Sequence, residues 1–443
     1  MSAGRRNIDH MFEPLITQLR EAQTALAEIP GDLSDAELIE VLRAAEGLKS
    51  AASAAQAAAA VRLEVSQRAA QVAAGVPPRR VGEGIAEQIG LARRESANKG
   101  ARLLGLAKAL EEMPHTRALM RAGWLNEWRA TILVRETACL SLADRRVVDE
   151  RLCAGAQAAA TMSDLGLERA TKALAAELDP AAVVQRARRA ESERHVSIRP
   201  APDTMAWVTA LLPVKEAVRV YATILTAAHA ARARGDGRSR GQVMADTLVE
   251  RVTGAPATQT PTVEVKVVMS DRSLFGTSAE AAHLAGYGPV PAAWARDLVA
   301  DAAREARAFI RRLYLAPTGG ELVAMDSRAR FAPAGLAEFV VTRDQGLCRT
   351  PWCGAPIREI DHVIAWDDGG PTTAANTQGL CQRCNLAKQA PGWSATPTAA
   401  PDGRHTVETT TPTGHRHRSR APDPPGAASV TTSPGRPGYE LTA

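Results

Sequence analysis

Apolar positions recur at helical spacing through the first half of the chain. Leu38, Val41, Leu42, Ala45 and Leu48 repeat every three or four residues, the period that lines one face of an α-helix. Ser34 and Glu37 stand just ahead of them in a capping-box pattern. The helix is expected to run on through an alanine-rich stretch to about Ala74, where Gly75, Pro77 and Pro78 stop it. A shorter basic helix is expected over 85–94, followed by helices over 96–112, 124–140, 143–158 and 164–176. Asp179 reads as an N-cap with Pro180 at the first helical position, opening a helix that continues to about Glu193.

The pattern then changes. Residues 195–199 and 205–212 alternate as strands do, joined by the turn Pro200-Ala201-Pro202-Asp203. Helices follow over 214–234 and 241–252. Val263, Val265 and Val267 alternate as a strand, and 312–316 with 321–325 flank Thr318-Gly319-Gly320 as a hairpin would. A helix over 334–343 leads into a cluster of cysteines. Beyond Trp393 the chain is rich in Thr, Pro, Gly and Ser and carries the basic run from His415 to Arg420, which reads as a disordered tail. No repeat of fixed period emerges. The expected organisation is a mainly α region over 1–194, an α+β continuation over 195–333, a small module over 334–395 and a disordered basic tail over 396–443.

Composition narrows the possibilities only a little. With 443 residues, 45% hydrophobic and 4% aromatic, the chain can build a core, chiefly from alanine and leucine. A net charge of +5 and a pI near 9.0 fit an anionic partner. Arg5 and Arg6 are followed by Asp9, His10 and Glu13 rather than by an apolar segment, unlike a secretory signal. The most apolar stretch, 51–65, is broken by Gln56 and Arg62 and falls short of a span. The expectation is a cytoplasmic protein without a membrane partner. No P-loop and no dinucleotide fingerprint occurs, which argues against ATP-driven translocation.

The chemistry concentrates in CRTPWCGAPIREIDHVIAWDDGGPTTAANTQGLCQRCNLAKQAPGW, from Cys348 to Trp393. Cys348 and Cys353 form one close pair, Cys381 and Cys384 another. Four thiolates so spaced give the closed shell of a structural Zn²⁺ site. Cys139 and Cys153, in helical sequence, read as small buried apolar residues. Between the pairs, Ile357 to Ile360 alternate into Asp361 and His362. A loop with Asp367, Asp368, Gly369, Gly370 and Asn376 follows, and Asn385 and Lys388 come on a helix after the last cysteine. Phosphodiester hydrolysis needs a proton acceptor for water and a Lewis acid on the phosphate. A histidine supplies the first; hard oxygen ligands such as Asp and Asn hold a cation for the second.

These residues resemble the HNH endonuclease family over 348–393. The resemblance implies a ββα-metal fold, with His362 as general base and Asn376 as a loop residue holding the base's geometry. It implies that Asp361 and Asn385, the third motif residue, bind a catalytic Mg²⁺ or Mn²⁺. Asn replaces His at that third position, as is common in the zinc-bearing branch. Arg383 and Lys388 are candidate phosphate contacts and equally read as solvated helix charges.

The stretches ARLLGLAKALEEMPHTRALMRAGWLNEWRA (from Ala101) and HVSIRPAPDTMAWVTALLP (from His195) resemble the actinobacterial domain of unknown function 222. That domain precedes an HNH module in such proteins, which implies an actinobacterial source. The combined expectation is a metal-dependent DNA endonuclease. The alternative is a zinc-stabilised nucleic-acid-binding protein with weak or no cleavage. Arg79, Arg80, Arg93, Arg94 and Lys99 are further candidate phosphate contacts, although a solvated helical surface is the stronger reading.

Overall fold

A computed structural model describes residues 9–155, 158–255, 265–304, 308, 330–400 and 403–425. The N-terminal region is helical throughout. It comprises α1 (Asp9–Ala25), α2 (Asp35–Ala73), α3 (Ile85–Ala92), α4 (Ala97–Glu112) and α5 (Pro114–Arg121). It continues with α6 (Glu127–Thr137), α7 (Leu142–Cys153), α8 (Ala158–Thr161), α9 (Asp164–Leu178) and α10 (Pro180–Ala190). The starts are written locally. Ser34, Ser96, Asn126, Ser141, Ser163 and Asp179 each accept a backbone N–H of the first turn, offsetting donors that a helix leaves unpaired.

Small residues let these helices approach closely. Ala54, Ala57 and Ala60 form the buried stripe of α2, and a Cβ added at Gly100 of α4 would meet Ala86 O of α3 at 2.1 Å. Ile85, Leu110, Met113, Met120, Leu125 and Leu133 fill the core. Helix α5 differs in being capped from a distance. The fully buried Asp149 of α7 accepts from His115 N and Thr116 N, both at 2.8 Å. Cys153 is buried as expected, and that burial pushes its thiol up to about 11.

The middle holds the antiparallel hairpin β1 (His195–Ala201) and β2 (Met205–Leu211), then α11 (Val214–Ala233) and α12 (Arg240–Thr253). A small sheet of β3 (Val267–Val268), β4 (Ala282–Leu284) and β5 (Gly288–Val290) follows, with α13 (Asp271–Phe275) inserted and α14 (Ala292–Arg304) behind. Of the strand expected at Val263, Val265 and Val267, Val263 lies outside the described residues and β3 holds Val267. The hairpin expected over 312–325 lies outside them.

The last unit opens with α15 (Ala334–Arg343). Strands β6 (Glu359–His362) and β7 (Thr377–Leu380) pair antiparallel, and α16 (Gln382–Lys388) covers them. The expectation of disorder from residue 396 is corrected here. The segment forms β8 (Ser394–Ala399), β9 (His405–Thr410) and β10 (Arg416–Arg420), a three-stranded sheet in the order β10-β9-β8. Threonine and valine favour a pleated, half-buried surface, and Val407 at its centre is buried. The basic run is therefore an edge strand, with Arg416 and Arg418 paired to Glu408 at 3.2 and 2.9 Å. Residues 426–443 lie outside the described set. Among the described residues, no helix is long and apolar enough to cross a membrane.

Candidate functional site

A tight knuckle sets the four cysteines. Leu347 bridges Pro356, Cys348 N donates to Ala355 O (2.7 Å) and Cys353 N to Thr350 O (3.1 Å). Trp352 and Gly354, at φ +60 and +61°, turn the chain between the thiols. The second pair comes from the start of α16, where Cys381 is the N-cap residue. The four sulfurs lie within 4.8 Å of one another, with Cys353–Cys381 at 3.7 Å and Cys353–Cys384 at 3.6 Å. A tetrahedron with Zn–S bonds of about 2.3 Å has edges of about 3.8 Å, so the cluster fits that ion. Hydrogen bonds from Cys353 and Cys384 favour the Cys348 thiolate, and the same crowding pushes the Cys353 and Cys384 thiols up. A cation relieves that repulsion.

Alternation along β6 places Glu359 and Asp361 on one face and Ile360 and His362 on the other. Helix α16 answers the first face: Asn385 Nδ2 donates to Glu359 Oε2, and the Lys388 ammonium contacts both Asp361 Oδ2 and His362 O. His362 is half-buried beside Trp366, their rings 5.9 Å apart. Its Nε2 lies 2.8 Å from the buried Thr372 hydroxyl, which can donate onward to Arg330 O at 3.4 Å. The hydroxyl then accepts from Nε2–H, leaving Nδ1 as the free acceptor. Burial, helped by the Lys388 and Arg330 cations, outweighs Asp361 and holds the imidazole below its ordinary pKa.

Asn376 is buried and clamps the connecting loop. Its Oδ1 accepts from Ile364 N (2.9 Å), and its Nδ2 donates to Ile364 O (3.1 Å) and Pro371 O (2.9 Å). Glu359, Asp361 and Asn385 offer hard oxygen donors. Among the described residues, the cysteines form the one compact group of three or more His, Cys, Asp or Glu side chains. The carboxylate side therefore supplies few protein ligands, which suits Mg²⁺, an ion that keeps several waters. Thr372 and Glu359 escaped the sequence reading. Glu359 was detectable two residues before Asp361 on the same strand face; Thr372 had no local signal.

Behind β7 lies a buried polar staple. Arg343 donates to Ala374 O and Thr377 O, Asp344 accepts from Gly379 N, and Arg349 reaches His405 O and Ser419 O. It ties α15 and the terminal sheet to the site. The helical region docks on the opposite side. Arg383 pairs with Glu87 at 2.7 Å and donates to Asn98 at 3.2 Å, while Arg80 donates to Gln389 O at 2.8 Å. Ala97 packs into the small core that holds Cys348 and Cys384. Gly84, at φ +81°, lies against Trp393; an added Cβ would meet its Nε1 at 2.4 Å. Arg383 and Lys388 are thus both engaged within the chain. So are Arg80, Arg93 and Lys99, held by Glu83, Glu127 and Glu95.

Comparison with known proteins agrees with this layout. Residues 39–344 match the family described as "Domain of unknown function (DUF222)", and residues 348–390 match "HNH endonuclease". No curated protein and no solved structure matches the chain. The chain belongs to the DUF222 family and carries a C-terminal HNH endonuclease domain, which supports a nuclease acting on nucleic acid.

Proposed function

We propose that this DUF222-family chain is a divalent-metal-dependent HNH endonuclease that hydrolyses phosphodiester bonds in DNA. The observation that carries the reading is the meeting of Asp361 and His362, at the end of β6, with α16 on a four-thiol frame. Asp361 and the Asn385 amide oxygen would hold the catalytic cation. When bound, such an ion supplies Lewis-acid activation of the phosphate and charge relief at the leaving oxygen.

His362 is the proton acceptor. Thr372 fixes Nε2, so Nδ1 takes the proton of the attacking water as its oxygen bonds to phosphorus. The bond to the 3′ oxygen breaks in line, and that oxygen takes a proton from solvent. The products carry 5′-phosphate and 3′-hydroxyl ends. Asn376 holds the loop that positions Thr372, and therefore the imidazole. Lys388 neutralises Asp361 and is placed to turn to a phosphate when a cation takes over that carboxylate. The helical region, joined to the module through α3 and α4, serves targeting, DNA binding or regulation.

The test is supercoiled plasmid incubated with the zinc-loaded protein, with and without Mg²⁺ or Mn²⁺. Metal-dependent nicking or linearisation, abolished by chelation and by His362→Ala, is expected. A second reading, a zinc-stabilised nucleic-acid-binding protein with little cleavage, is favoured by the Lys388 ammonium already seated on Asp361. Plasmid that is retarded in a gel yet uncut at millimolar Mn²⁺ would establish it instead.

A further inference from the structure

A strand face and a helix face meet at the carboxylate side of the site. Glu359 and Asp361 alternate onto one face of β6. Asn385 and Lys388 share one face of α16, a turn apart. The fold pairs them in order. Asn385 Nδ2 donates to Glu359 Oε2, and the Lys388 ammonium contacts Asp361 Oδ2. Of the two proposed cation ligands, Asp361 and Asn385, Glu359 therefore touches the second.

An asparagine binds a cation only through its oxygen. Its amide carries a donor end and an acceptor end. They are nearly equal in size, and a half-turn about the last side-chain bond exchanges them. Packing alone does not choose between the two, and Asn385 is buried away from bulk water. A carboxylate does choose, because it only accepts. The end facing Glu359 is the NH₂, and the other end is Oδ1. The charge on Glu359 makes this bond roughly twice as strong as one between neutral groups. Oδ1 itself accepts from Gln389 Nε2 at 3.4 Å, longer than the usual range of about 2.7–3.2 Å. Gln389 lies one turn beyond Asn385, next to the Lys388 that holds Asp361. The amide oxygen is thus turned along α16 toward the Asp361 end of the site, and its present partner there is a weak one.

We propose that Glu359 is a positioning residue for the catalytic cation: it fixes the Asn385 amide with its oxygen toward Asp361, and it acts through that amide, not as a ligand. The inference rests on the reading that Asp361 and Asn385 hold the cation. Cation binding then breaks only the weak Gln389 contact and keeps the charge-assisted one. A carboxylate behind a ligand also polarises it and strengthens its hold on the metal. Glutamine at position 359 removes the choice. Its own NH₂ can donate to Asn385 Oδ1, and the asparagine then presents nitrogen to the cation.

The test is Mn²⁺ binding to the full zinc-loaded chain without DNA, read from the electron paramagnetic resonance signal of free Mn²⁺ during a titration. Glu359→Gln should bind Mn²⁺ about 10–100-fold more weakly, the usual cost of losing such an outer partner, with zinc content and circular dichroism unchanged. A merely structural role predicts no loss, because glutamine has the same shape and still hydrogen-bonds to asparagine. Adding Asn385→Asp to Glu359→Gln should restore binding to wild-type strength or above. The new glutamine then donates to one oxygen of the new aspartate, and the other oxygen faces the cation. In an Asn385→Ala background, Glu359→Gln should have no further effect, since no amide remains to be oriented. A further loss there makes Glu359 a ligand in its own right and overturns the inference. So does a Glu359→Gln protein that loses its zinc, or a double variant that binds no more tightly than Glu359→Gln. Wild type that binds no Mn²⁺, or binds it equally after Asp361→Ala, overturns the cation reading and this inference with it. Binding that needs Asp361 but ignores Glu359→Gln overturns this inference alone.

Discussion

His362 carries the sharpest residue-level prediction. Replacement by Ala should lower cleavage by about 10²–10⁴-fold, the usual contribution of a general base, with zinc content and fold unchanged. Added metal should not restore it, because the missing part is a proton acceptor. Asp361→Ala should lose activity through weakened cation binding, and excess Mn²⁺ should partly recover it. A cleavage series on both variants across a metal titration checks the pair, and a near wild-type rate for His362→Ala would end the mechanism. His405 gives a prediction about stability. Its half-buried ring lies near Arg343 and Arg349, with Nε2 3.1 Å from Ala375 O, and desolvation first, then the two cations, depress its pKa from 6.5 to about 3. Between those values the unfolded chain binds a proton that the native state refuses. Stability therefore falls as pH drops through that window. Thermal unfolding of the zinc-loaded protein should show a shallower pH slope in His405→Gln than in wild type. Asp361 and His362 were legible as residue types in order. Thr372 was not, since only the folded loop brings it to the imidazole.

At the scale of elements, the cysteine frame and the helix caps decide what forms. Structural zinc contributes roughly 10–16 kcal/mol to small modules of this kind. Cys384→Ser should thus lose zinc and unfold residues near 345–393, leaving the α2–α10 core intact. Zinc stoichiometry with limited proteolysis reads both, and zinc-free wild type would refute the frame. Helix α5 offers a contrast. Met113 gives it no side-chain cap; Asp149 supplies one from α7. Asp149→Ala leaves buried donors at His115 and Thr116 unpaired and should cost about 3 kcal/mol or more, measured by chemical denaturation. The same contrast explains what the chain pattern revealed. Helices α2, α4, α7, α9, α10 and α12, opened by their own Ser or Asp, start within a residue or two of expectation, as do α11 and α15, which follow Pro213 and Pro333. Helix α5 was not readable, because its cap, Asp149, lies more than thirty residues away, and the β8–β10 sheet was not, because its Thr, Pro, Gly and Ser content carries no strand alternation. The Thr-rich tail reads as disorder in sequence, whereas in the fold Arg349 holds its backbone at His405 O and Ser419 O.

For the whole molecule, the main finding is that the helical region and the HNH module dock through α3 and α4. Gly84→Ala should strain a left-handed backbone position, at about 1–2 kcal/mol, and push on Trp393. Glu87→Lys would set two cations together at Arg383. Either change should raise hydrogen exchange in α16 and α3 while the zinc stays bound. Unchanged exchange in both would show that the docking contributes nothing. The sequence by itself determined the elements with local causes: helical period, caps, strand alternation and the short-range pairing of cysteines around a metal. It also determined the residue types available for hydrolysis, because their order is covalent. Only the tertiary structure decided which charges are free. Arg383 and Lys388 stand on one short helix and look alike in sequence. One ends on Glu87 of a distant helix and the other on Asp361 of the adjoining strand, because the energy of a charge depends on what the fold brings within a few ångströms of it.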